Sequence, residues 1–364
     1  MTQREQQILE WIRQDPMISQ EDLAQRAGIT RSSVGVHISN LMKKGCILGK
    51  GYLLPDSGYV AVAGAVNVDI GGRSAGPLVG RDSNPGTVTV SMGGVGRNIA
   101  HNMALLGLDV RLVTALGDDM NAQKITTSCI ELGIDLAPSL QVPGGATSTY
   151  LFLTDEKGDM ALAVSDMAIY DHLTPRYLAT KEALLNNARL VVADTNIPAE
   201  SLQWLAENCK APVFVDPVST AKAIKVKPVL GKLHTLKPNR LEAELLSGVA
   251  LRDLPSARQA AGKLLETGLQ RVFISLGTQG VFAADHTQDV WYPCCPAQMR
   301  SATGAGDAFA AALAWAFLEG KDLAYSARAA NAAAAIAVEG EKTINPALSA
   351  EAVQARMTEQ EEAL

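Results

Sequence analysis

The chain has 364 residues, of which 47% are hydrophobic and 19% are charged, and its formal net charge is −6 at pH 7. This length and composition indicate a globular protein with one or two domains, and the acidic total excludes a uniformly basic protein that coats nucleic acid. The charged N-terminus lacks the apolar core of a signal peptide and no run of about 18 apolar residues occurs, so we expect no membrane span and a cytoplasmic location.

The first 55 or so residues predict a winged helix-turn-helix domain. A first helix carries one apolar face, and Ser19 and Thr30 are suited to cap a second and a third helix. Residues 46–54 follow as two short apolar strands around a glycine turn, which is typical of a β-wing. We therefore expect an N-terminal domain over residues 1–57 and a second domain over residues 58–364.

Positive charge concentrates on the third helix and the wing of this first domain. Five positive residues and no carboxylate lie between Arg26 and Lys50. These are the parts of a winged helix that meet DNA, so we expect DNA binding, with a packing or dimerisation module as the alternative. The candidate DNA contacts are Arg31, Ser32, Ser33, His37, Lys43, Lys44 and Lys50.

From Tyr59 onward, short apolar strand candidates alternate with helical stretches. The predicted helices are 97–107, 121–132, 199–208, 239–247 and 256–267. This alternation predicts an α/β fold with a central, mostly parallel sheet and helices on both faces. The segments 76–92 and 143–164 differ, because they resemble hairpin-forming strands. They predict a small second sheet beside the main one.

A small-residue loop before an apolar helix is the strongest chemical signal. Gly304, Ala305 and Gly306 allow several backbone N–H groups to converge at a helix N-terminus, where negative charge is stabilised. Such a loop suits the charge of a transferring phosphoryl group. Asp307 would repel a phosphate and is therefore predicted to be the base that takes a proton from an attacking hydroxyl. The alternative is a simple helix cap.

A second glycine-rich stretch precedes a helix upstream. Gly93, Gly94 and Gly96 would bring the backbone close to a ligand, and Asn98 has a side chain that both donates and accepts. The glycine spacing is not that of a Rossmann fingerprint. No Gly-Lys-Ser/Thr follows, so it is not a Walker loop either.

The two glycine motifs, in this order, resemble the PfkB family of carbohydrate kinases, which have a ribokinase-like three-layer fold. The resemblance covers roughly Tyr59 to Leu348. It also includes the stretches 64–69, 237–242 and 275–280, and Asn331. The fold that it implies has a central, mostly parallel sheet with a small β lid, here preceded by the winged-helix domain.

The resemblance implies residue roles on the acceptor side of the site. Asn67 and Asp69 would hold sugar hydroxyls, and Gly93, Gly94 and Asn98 would complete the pocket. A carboxylate suits a vicinal diol because it accepts from two hydroxyls at once. For Asp69, a turn-forming role at a strand end remains the alternative.

The resemblance also implies ATP as the phosphate donor, with Mg²⁺. Asn239 and Glu242 would organise Mg²⁺ and its waters, although Glu242 also fits a solvated helix charge. Ser301-Ala302 replaces the usual Asp-Thr pair. Whether the family's site for a monovalent cation such as K⁺ is intact in this chain is therefore an open question at the level of sequence. The residues implied on the nucleotide side are Asp216, Ser275, Gly277, Gly280 and Asn331, the last of which also fits a buried structural amide.

Within the family, the chain resembles the pseudouridine kinases. The segments that carry this similarity are 82–86, 93–100, 147–150, 192–196 and 234–244. The implied reaction is transfer of the ATP γ-phosphate to the 5′-hydroxyl of pseudouridine, by a homodimer that associates through the lid. Candidate acceptors for the extra N–H of this base, each of which also fits a structural role, are Thr149, Ser165, Asp166, Asp194 and Asn196.

Two other functions remain open at the level of sequence. The first is a kinase of another nucleoside or of a ribose-like sugar. The second is a transcription regulator that uses the kinase fold only as a ligand sensor. Asp307, Asn239 and Glu242 favour an enzyme, because a sensor would not need them.

Overall fold

The computed structural model describes residues 1–47, 49 and 58–363, which fall into two compact units divided between Gly58 and Tyr59. Most of the predicted wing, including Lys50, lies outside the described residues. None of the helices in the described part is long and apolar enough to cross a membrane.

Three helices make up the described part of the first unit: α1 (Gln3–Gln14), α2 (Gln20–Ala27) and α3 (Arg31–Lys43). Thr2, Ser19 and Thr30 cap them, each side chain accepting from a backbone N–H in the first turn. The predicted caps Ser19 and Thr30 and the three predicted helices are confirmed, and Thr2 is a further cap that was not predicted. The side chains that share the small core of this unit are Ile8, Leu9, Ile12, Ile18, Leu23, Ala24, Val34, Ile38, Leu41 and Ile47.

The second unit contains the strands, which we number in chain order over the described residues. They are β1 (Val60–Ala63), β2 (Asn67–Ser74), β3 (Gly86–Gly93), β4 (Val110–Val113), β5 (Ala115–Leu116), β6 (Leu140–Gln141), β7 (Thr149–Thr154), β8 (Met160–Asp166), β9 (Leu190–Asp194), β10 (Val213–Asp216), β11 (Thr235–Leu236), β12 (Arg271–Ser275), β13 (Val281–Asp285) and β14 (Asp289–Tyr292).

Its helices are α4 (Val95–Leu105), α5 (Met120–Glu131), α6 (Pro175–Ala179), α7 (Glu182–Asn187), α8 (Ala199–Asn208), α9 (Thr220–Ala223), α10 (Arg240–Ser247), α11 (Leu254–Leu265), α12 (Ala305–Leu318), α13 (Leu323–Val338) and α14 (Ala350–Ala363). Short 3₁₀ turns lie between some of them. The five predicted helices agree with α4, α5, α8, α10 and α11 to within two residues at each end.

An eight-stranded sheet forms the centre of this unit, in the order β14-β13-β12-β11-β10-β9-β1-β4. The strands from β12 to β4 are parallel, and β13 and β14 are antiparallel. Alternate residues of β1 enter two different hydrophobic cores, Val60 and Val62 one, Ala61 and Ala63 the other. Helices therefore cover both faces, which confirms the predicted mostly parallel three-layer fold.

A separate four-stranded sheet, in the order β3-β2-β7-β8, contains the strands of the predicted lid segments, and we call this sheet the lid. The predicted lid segments were only partly right, because residues 76–85 and 143–148 contain no strand and β2 was not predicted at all. Gly71 and Gly72 lie within β2, and because glycine is depleted in strands, residue propensities did not predict a strand here. At Gly71 a Cβ would come within 2.5 Å of the Phe152 ring, so this position accommodates a side chain of the neighbouring strand.

Candidate active site

Several of the predicted site residues lie at the carboxyl ends of adjacent parallel strands. Asp194 ends β9 and lies directly beside Asp216, which ends β10. Lys237 follows β11, and Asn67 follows β1 after a short turn. Ligands of α/β proteins bind in this position, so the topology assembles one pocket from segments far apart in the chain.

The loop at residues 304–306 leads into α12 as predicted. Gly304 has φ +88°, and a Cβ there would lie 1.9 Å from the Thr343 carbonyl oxygen, so no other residue fits. Asp307 follows in the first turn of the helix. Burial and the negative charge of Asp216 raise the pKa of Asp307 to about 7, although Asn98 and Lys237 lower it. The group therefore titrates near neutral pH, where a general base is most effective.

Asn98 connects the two glycine motifs. Its Nδ2 donates to Oδ2 of Asp307 at 2.9 Å. Its Oδ1 is buried and has no hydrogen-bond partner among the described residues. An acceptor that is buried and unpartnered is costly unless a ligand meets it. The side chain is thus placed to hold Asp307 with one end and to accept from a hydroxyl with the other.

Asp69 and Asn67 lie together on β2, opposite the second glycine motif. Asn67 donates to Oδ1 of Asp69. A Cβ at Gly93 would come within 2.2 Å of Oδ2 of Asp69, and one at Gly94, which has φ +95°, would meet the Ala65 carbonyl. Burial raises the pKa of Asp69, and Asn67 and the charge of Arg97 oppose this shift. The two glycines therefore make room for the carboxylate and for close backbone packing.

The register of the lid separates the candidate base contacts. Asp69 is aligned with Tyr150, and Tyr150 with Ser165, so these three side chains share one face. Thr149 and Asp166 are aligned with each other one position along and lie on the opposite face. The hydroxyl of Thr149 donates to the Thr147 carbonyl. Thr149 and Asp166 therefore lie on the face of the lid opposite Asp69, contrary to expectation, whereas Ser165 lies on the same face as Asp69, two strands away.

The other two base-contact candidates have oxygens that are already engaged. Asp194 is fully buried, and its two oxygens accept from the backbone N–H groups of Ala65 and Asn196. Oδ1 of Asn196 accepts from Nζ of Lys222. A lysine ammonium only donates, so the amide oxygen must face it and Nδ2 faces away. Asn196 therefore offers a ligand a donor, and Asp194 is structural.

On the predicted nucleotide side, Asn239 and Glu242 form a capping box at the start of α10. Glu242 accepts from the backbone N–H of Asn239 and from its Nδ2, both at 2.8 Å, and Asn239 is bridged to Ser275 of β12. Gly277 and Gly280 have φ +60° and +88° in the turn that follows. Nδ2 of Asn331 donates to the Pro293 carbonyl at 2.7 Å, which fits the reading of this residue as a buried structural amide.

The oxygen donors of this region determine how it would bind Mg²⁺. Glu242 is buried, and burial raises its pKa. No group of three or more His, Cys, Asp or Glu side chains able to hold a metal occurs in the described part of the chain. The described residues therefore form no protein cage for Mg²⁺, and because both oxygens of Glu242 already accept from Asn239, this carboxylate would meet an ion that arrives with phosphates through the waters of that ion.

The sequence pattern assigned no role to one charged residue of this site, Lys237. Lys237 is 8% exposed, and its Nζ donates to Oδ2 of Asp216 at 2.8 Å. It also lies against the loop at residues 304–306. The signal that could have identified it is a lysine directly after a buried strand of a parallel sheet, because lysines are almost never fully buried unless they are paired with another group.

In the first unit, the candidate DNA contacts differ in their solvent exposure and in whether they already have a partner within the domain. Arg31, Ser32 and Lys43 are exposed, whereas Ser33 and His37 are half-buried. Lys44 pairs at 2.7 Å with the buried carboxylate of Glu5 on α1, and this bond together with the Thr2 backbone lowers the pKa of Glu5 to about 2. Lys44 is thus already partnered within the domain. Lys50 lies outside the described residues.

Comparisons with known proteins agree with this architecture. Residues 57–350 match the pfkB family carbohydrate kinases, and residues 1–47 match a winged helix-turn-helix DNA-binding family. Pseudouridine kinase of Escherichia coli (strain K12) is 42% identical over 293 residues, which are 80% of this chain and 94% of the relative. YeiI, an uncharacterized sugar kinase of the same strain, is 39% identical over 355 residues, covering 96% of this chain and 98% of that protein.

A solved structure shows the same fold. The ribokinase of Thermotoga maritima superposes with a TM-score of 0.74 at 25% identity, over 82% of this chain and 99% of that one. The family match covers far more than half of the sequence, and its segments are the ones that build the pocket around Asp307. The chain therefore belongs to the pfkB family of carbohydrate kinases and carries an N-terminal winged helix-turn-helix domain.

Proposed function

We propose that this protein transfers the γ-phosphate of ATP to the 5′-hydroxyl of pseudouridine, giving pseudouridine 5′-phosphate. The observation that carries the proposal is the contact of Asn98 with Asp307 at the glycine loop, beside the pocket of Asn67 and Asp69. The 42% identity to a pseudouridine kinase supports the choice of acceptor.

In the proposed mechanism, Asp307 takes the proton from the 5′-hydroxyl as the oxygen attacks the γ-phosphorus. Asn98 holds the carboxylate in place through its amide. The backbone amides at residues 304–306 stabilise the negative charge that spreads over the phosphoryl oxygens. Mg²⁺, when it arrives with ATP, supplies further charge neutralisation, with Glu242 and Asn239 orienting its waters.

Selection of the base would depend on hydrogen bonds that uridine cannot satisfy. Pseudouridine carries a ring N–H where uridine has its glycosidic nitrogen, and a buried acceptor left unpaired is costly. The Ser165 hydroxyl lies on the Asp69 face of the lid and is exposed, so it would serve as such an acceptor only where the bound base itself covers it. Asn196, held by Lys222, would instead donate to a carbonyl oxygen of the base.

A panel of acceptors tests this function. The full-length chain is assayed with ATP and Mg²⁺ against pseudouridine, uridine, inosine, guanosine, adenosine and ribose, with ADP release as the readout. We expect kcat/KM for pseudouridine to exceed that for uridine by at least about tenfold, since one unpaired buried group costs 1–3 kcal/mol. Preferred turnover of another nucleoside would replace pseudouridine as the acceptor.

We also propose that two copies associate through the lid. The face opposite Asp69 carries six apolar side chains that are 40 to 72% exposed, and such a contiguous patch marks an interaction surface. A second copy presents the same face and so fits a two-fold contact. The residues of this apolar lid face are Val88, Val90, Leu151, Leu153, Leu162 and Val164.

The front domain supports DNA binding as a second activity. Its match to a winged helix-turn-helix family and the exposed Arg31 and Lys43 favour this proposal. A gel shift on the DNA upstream of its own gene, with and without pseudouridine, tests it. Even non-specific binding depends on phosphate contacts and strengthens at low salt, so the absence of any shift there would remove the proposal.

A further inference from the structure

A buried lysine, Lys237, pairs with Asp216 and lies against the loop at residues 304–306. Nζ of Lys237 donates to Oδ2 of Asp216 at 2.8 Å, and both side chains are about nine-tenths buried, with 10% and 6% exposed. A Cβ built on Gly306 would lie only 2.9 Å from Nζ. The ammonium group therefore lies against the loop itself, and glycine at position 306 permits this approach.

The positive charge of Lys237 interacts with more than one acidic side chain. Burial by itself would lower the pKa of Lys237, but Asp216, Asp307 and Glu242 together raise it above its ordinary value. The same positive charge lowers the pKa of Asp307 and of Glu242 against the effect of burial. The lysine thus remains protonated between the predicted base and the predicted Mg²⁺ side of the site.

The hydrogen bonds of this ammonium are incomplete. It carries three N–H donors, and among the described residues Asp216 is the acceptor it reaches. A buried charged donor without an acceptor is costly, so the remaining donors require a partner that the protein part of the site does not supply. An anion on the loop at residues 304–306 would provide it.

We propose that Lys237 is a catalytic residue of the phosphoryl transfer, donating from Nζ to the γ-phosphoryl group beside the amides of residues 304–306, with Asp216 holding it in place. This inference rests on the proposed kinase function. As the hydroxyl oxygen bonds to the γ-phosphorus, its proton passes to Asp307, and the bond from that phosphorus to the β–γ bridging oxygen breaks. ADP leaves with the bonding electron pair, and Lys237 keeps its proton throughout.

The test compares the wild-type full-length chain with two variants, the double variant Lys237→Met with Asp216→Asn and the control Lys263→Met. Lys237→Met alone leaves Asp216 buried without its partner, which can prevent folding. Lys237→Met with Asp216→Asn removes both charges and keeps the volume of the pair. Lys263→Met removes an exposed lysine that pairs with Glu266, and it serves as the control.

Two readouts are used. The first is kcat and KM with ATP, Mg²⁺ and pseudouridine. The second is the affinity for ADP with aluminium fluoride, an analogue of the transferring phosphoryl group, relative to ADP alone. In the double variant we expect kcat to fall by about 10²–10³-fold with KM for the nucleoside changed less than about threefold, as for the loss of one preorganised donor. The tightening by aluminium fluoride should disappear, and the control should retain both properties.

Two results would overturn the inference. One is a double variant with wild-type kcat and wild-type tightening, because Lys237 would then only neutralise Asp216. The other is a wild-type protein whose affinity for ADP does not change with aluminium fluoride. A wild-type protein that phosphorylates no nucleoside tested, yet shows tightening that depends on Lys237, would support the inference and remove only the proposed acceptor.

Discussion

The side-chain amide of Asn98 donates to Oδ2 of Asp307 at 2.9 Å, although the two residues are 209 positions apart. This contact fixes the orientation of a carboxylate that burial pushes toward its neutral form. It also leaves the other end of Asn98 as a buried acceptor. The site is therefore organised around one carboxylate, Asp307, whose pKa of about 7 places its protonated and ionised forms in similar amounts at neutral pH.

The raised pKa of Asp307 predicts that the free energy of unfolding depends on pH. The pKa of Asp307 is raised from 3.8 to about 7 in the folded state, so its ionisation destabilises the fold as the pH rises between these two values. Asp307→Asn should raise the free energy of unfolding by up to about 4 kcal/mol above pH 7, at 1.36 kcal/mol per pKa unit. The gain should vanish near pH 4, and denaturant unfolding at both values measures it.

Asp253→Asn is the control of opposite sign. Asp253 caps α11, and its bonds to Ser256 lower its pKa. Its contribution is present at neutral pH and is lost as the pH falls, so this variant should be less stable than the wild type at pH 7. Equal effects of the Asp307 substitution at pH 4 and pH 8 would contradict the prediction.

A glycine substitution tests the close packing of the second glycine motif. Gly94 has φ +95°, and a Cβ there would lie 2.5 Å from the Ala65 carbonyl oxygen. Gly94→Ala should abolish activity and cost well over roughly 1 kcal/mol, because a positive φ is strained for a non-glycine residue and the added Cβ would in addition meet the Ala65 backbone. Gly144 is the matched control, because it has φ +70° with open space around it. Equal losses at the two sites, measured by thermal unfolding, would show that backbone conformation alone decides the effect.

The apolar lid face should determine the oligomeric state. Leu162→Lys with Val164→Lys places two charges on this face, and we expect a dimer to become a monomer in light scattering. Ile224→Lys introduces one charge at a half-exposed apolar position away from the lid and should leave the dimer intact. A monomeric wild type, or a double variant that stays dimeric, would exclude this face as the interface.

Two basic residues of the front domain should differ in their effect on DNA binding. Arg31 is exposed at the start of α3, whereas Lys44 is engaged by Glu5. Arg31→Ala should weaken binding and reduce the slope of log K against log salt by about 0.9, the value for one lost phosphate contact. Lys44→Ala should change this slope less and should mainly lower the melting temperature. Fluorescence anisotropy over a salt series measures both, and a larger slope change for Lys44 would reverse the assignment.

The sequence predicts the helices of this protein well, and for physical reasons. The predicted helix over residues 199–208 has the bounds of α8 itself, and the others differ by one or two residues. Capping residues and apolar periodicity are local properties, so they can be read without tertiary information. The two glycine loops before helices were identified from local sequence as well, because a glycine-rich turn at a helix N-terminus has a compact signature.

The remaining features depend on contacts that no local pattern encodes. The side of the lid on which Thr149, Ser165 and Asp166 lie follows from strand register, and a shift of one residue would exchange the two faces. Asn196 presents a donor only because Lys222, 26 positions away, engages its oxygen. Lys237 likewise gains its significance from Asp216 and Gly306, which are distant in the chain.

Replacement of the predicted base is the most direct test of the account. Asp307→Asn keeps the shape of the side chain and removes its ability to take a proton, while Asn98, Asn67 and Asp69 are left in place. With saturating ATP, Mg²⁺ and pseudouridine, we predict that kcat falls by about 10²–10⁴-fold while nucleoside binding is retained. A variant that turns over at close to the wild-type kcat would contradict the proposed mechanism.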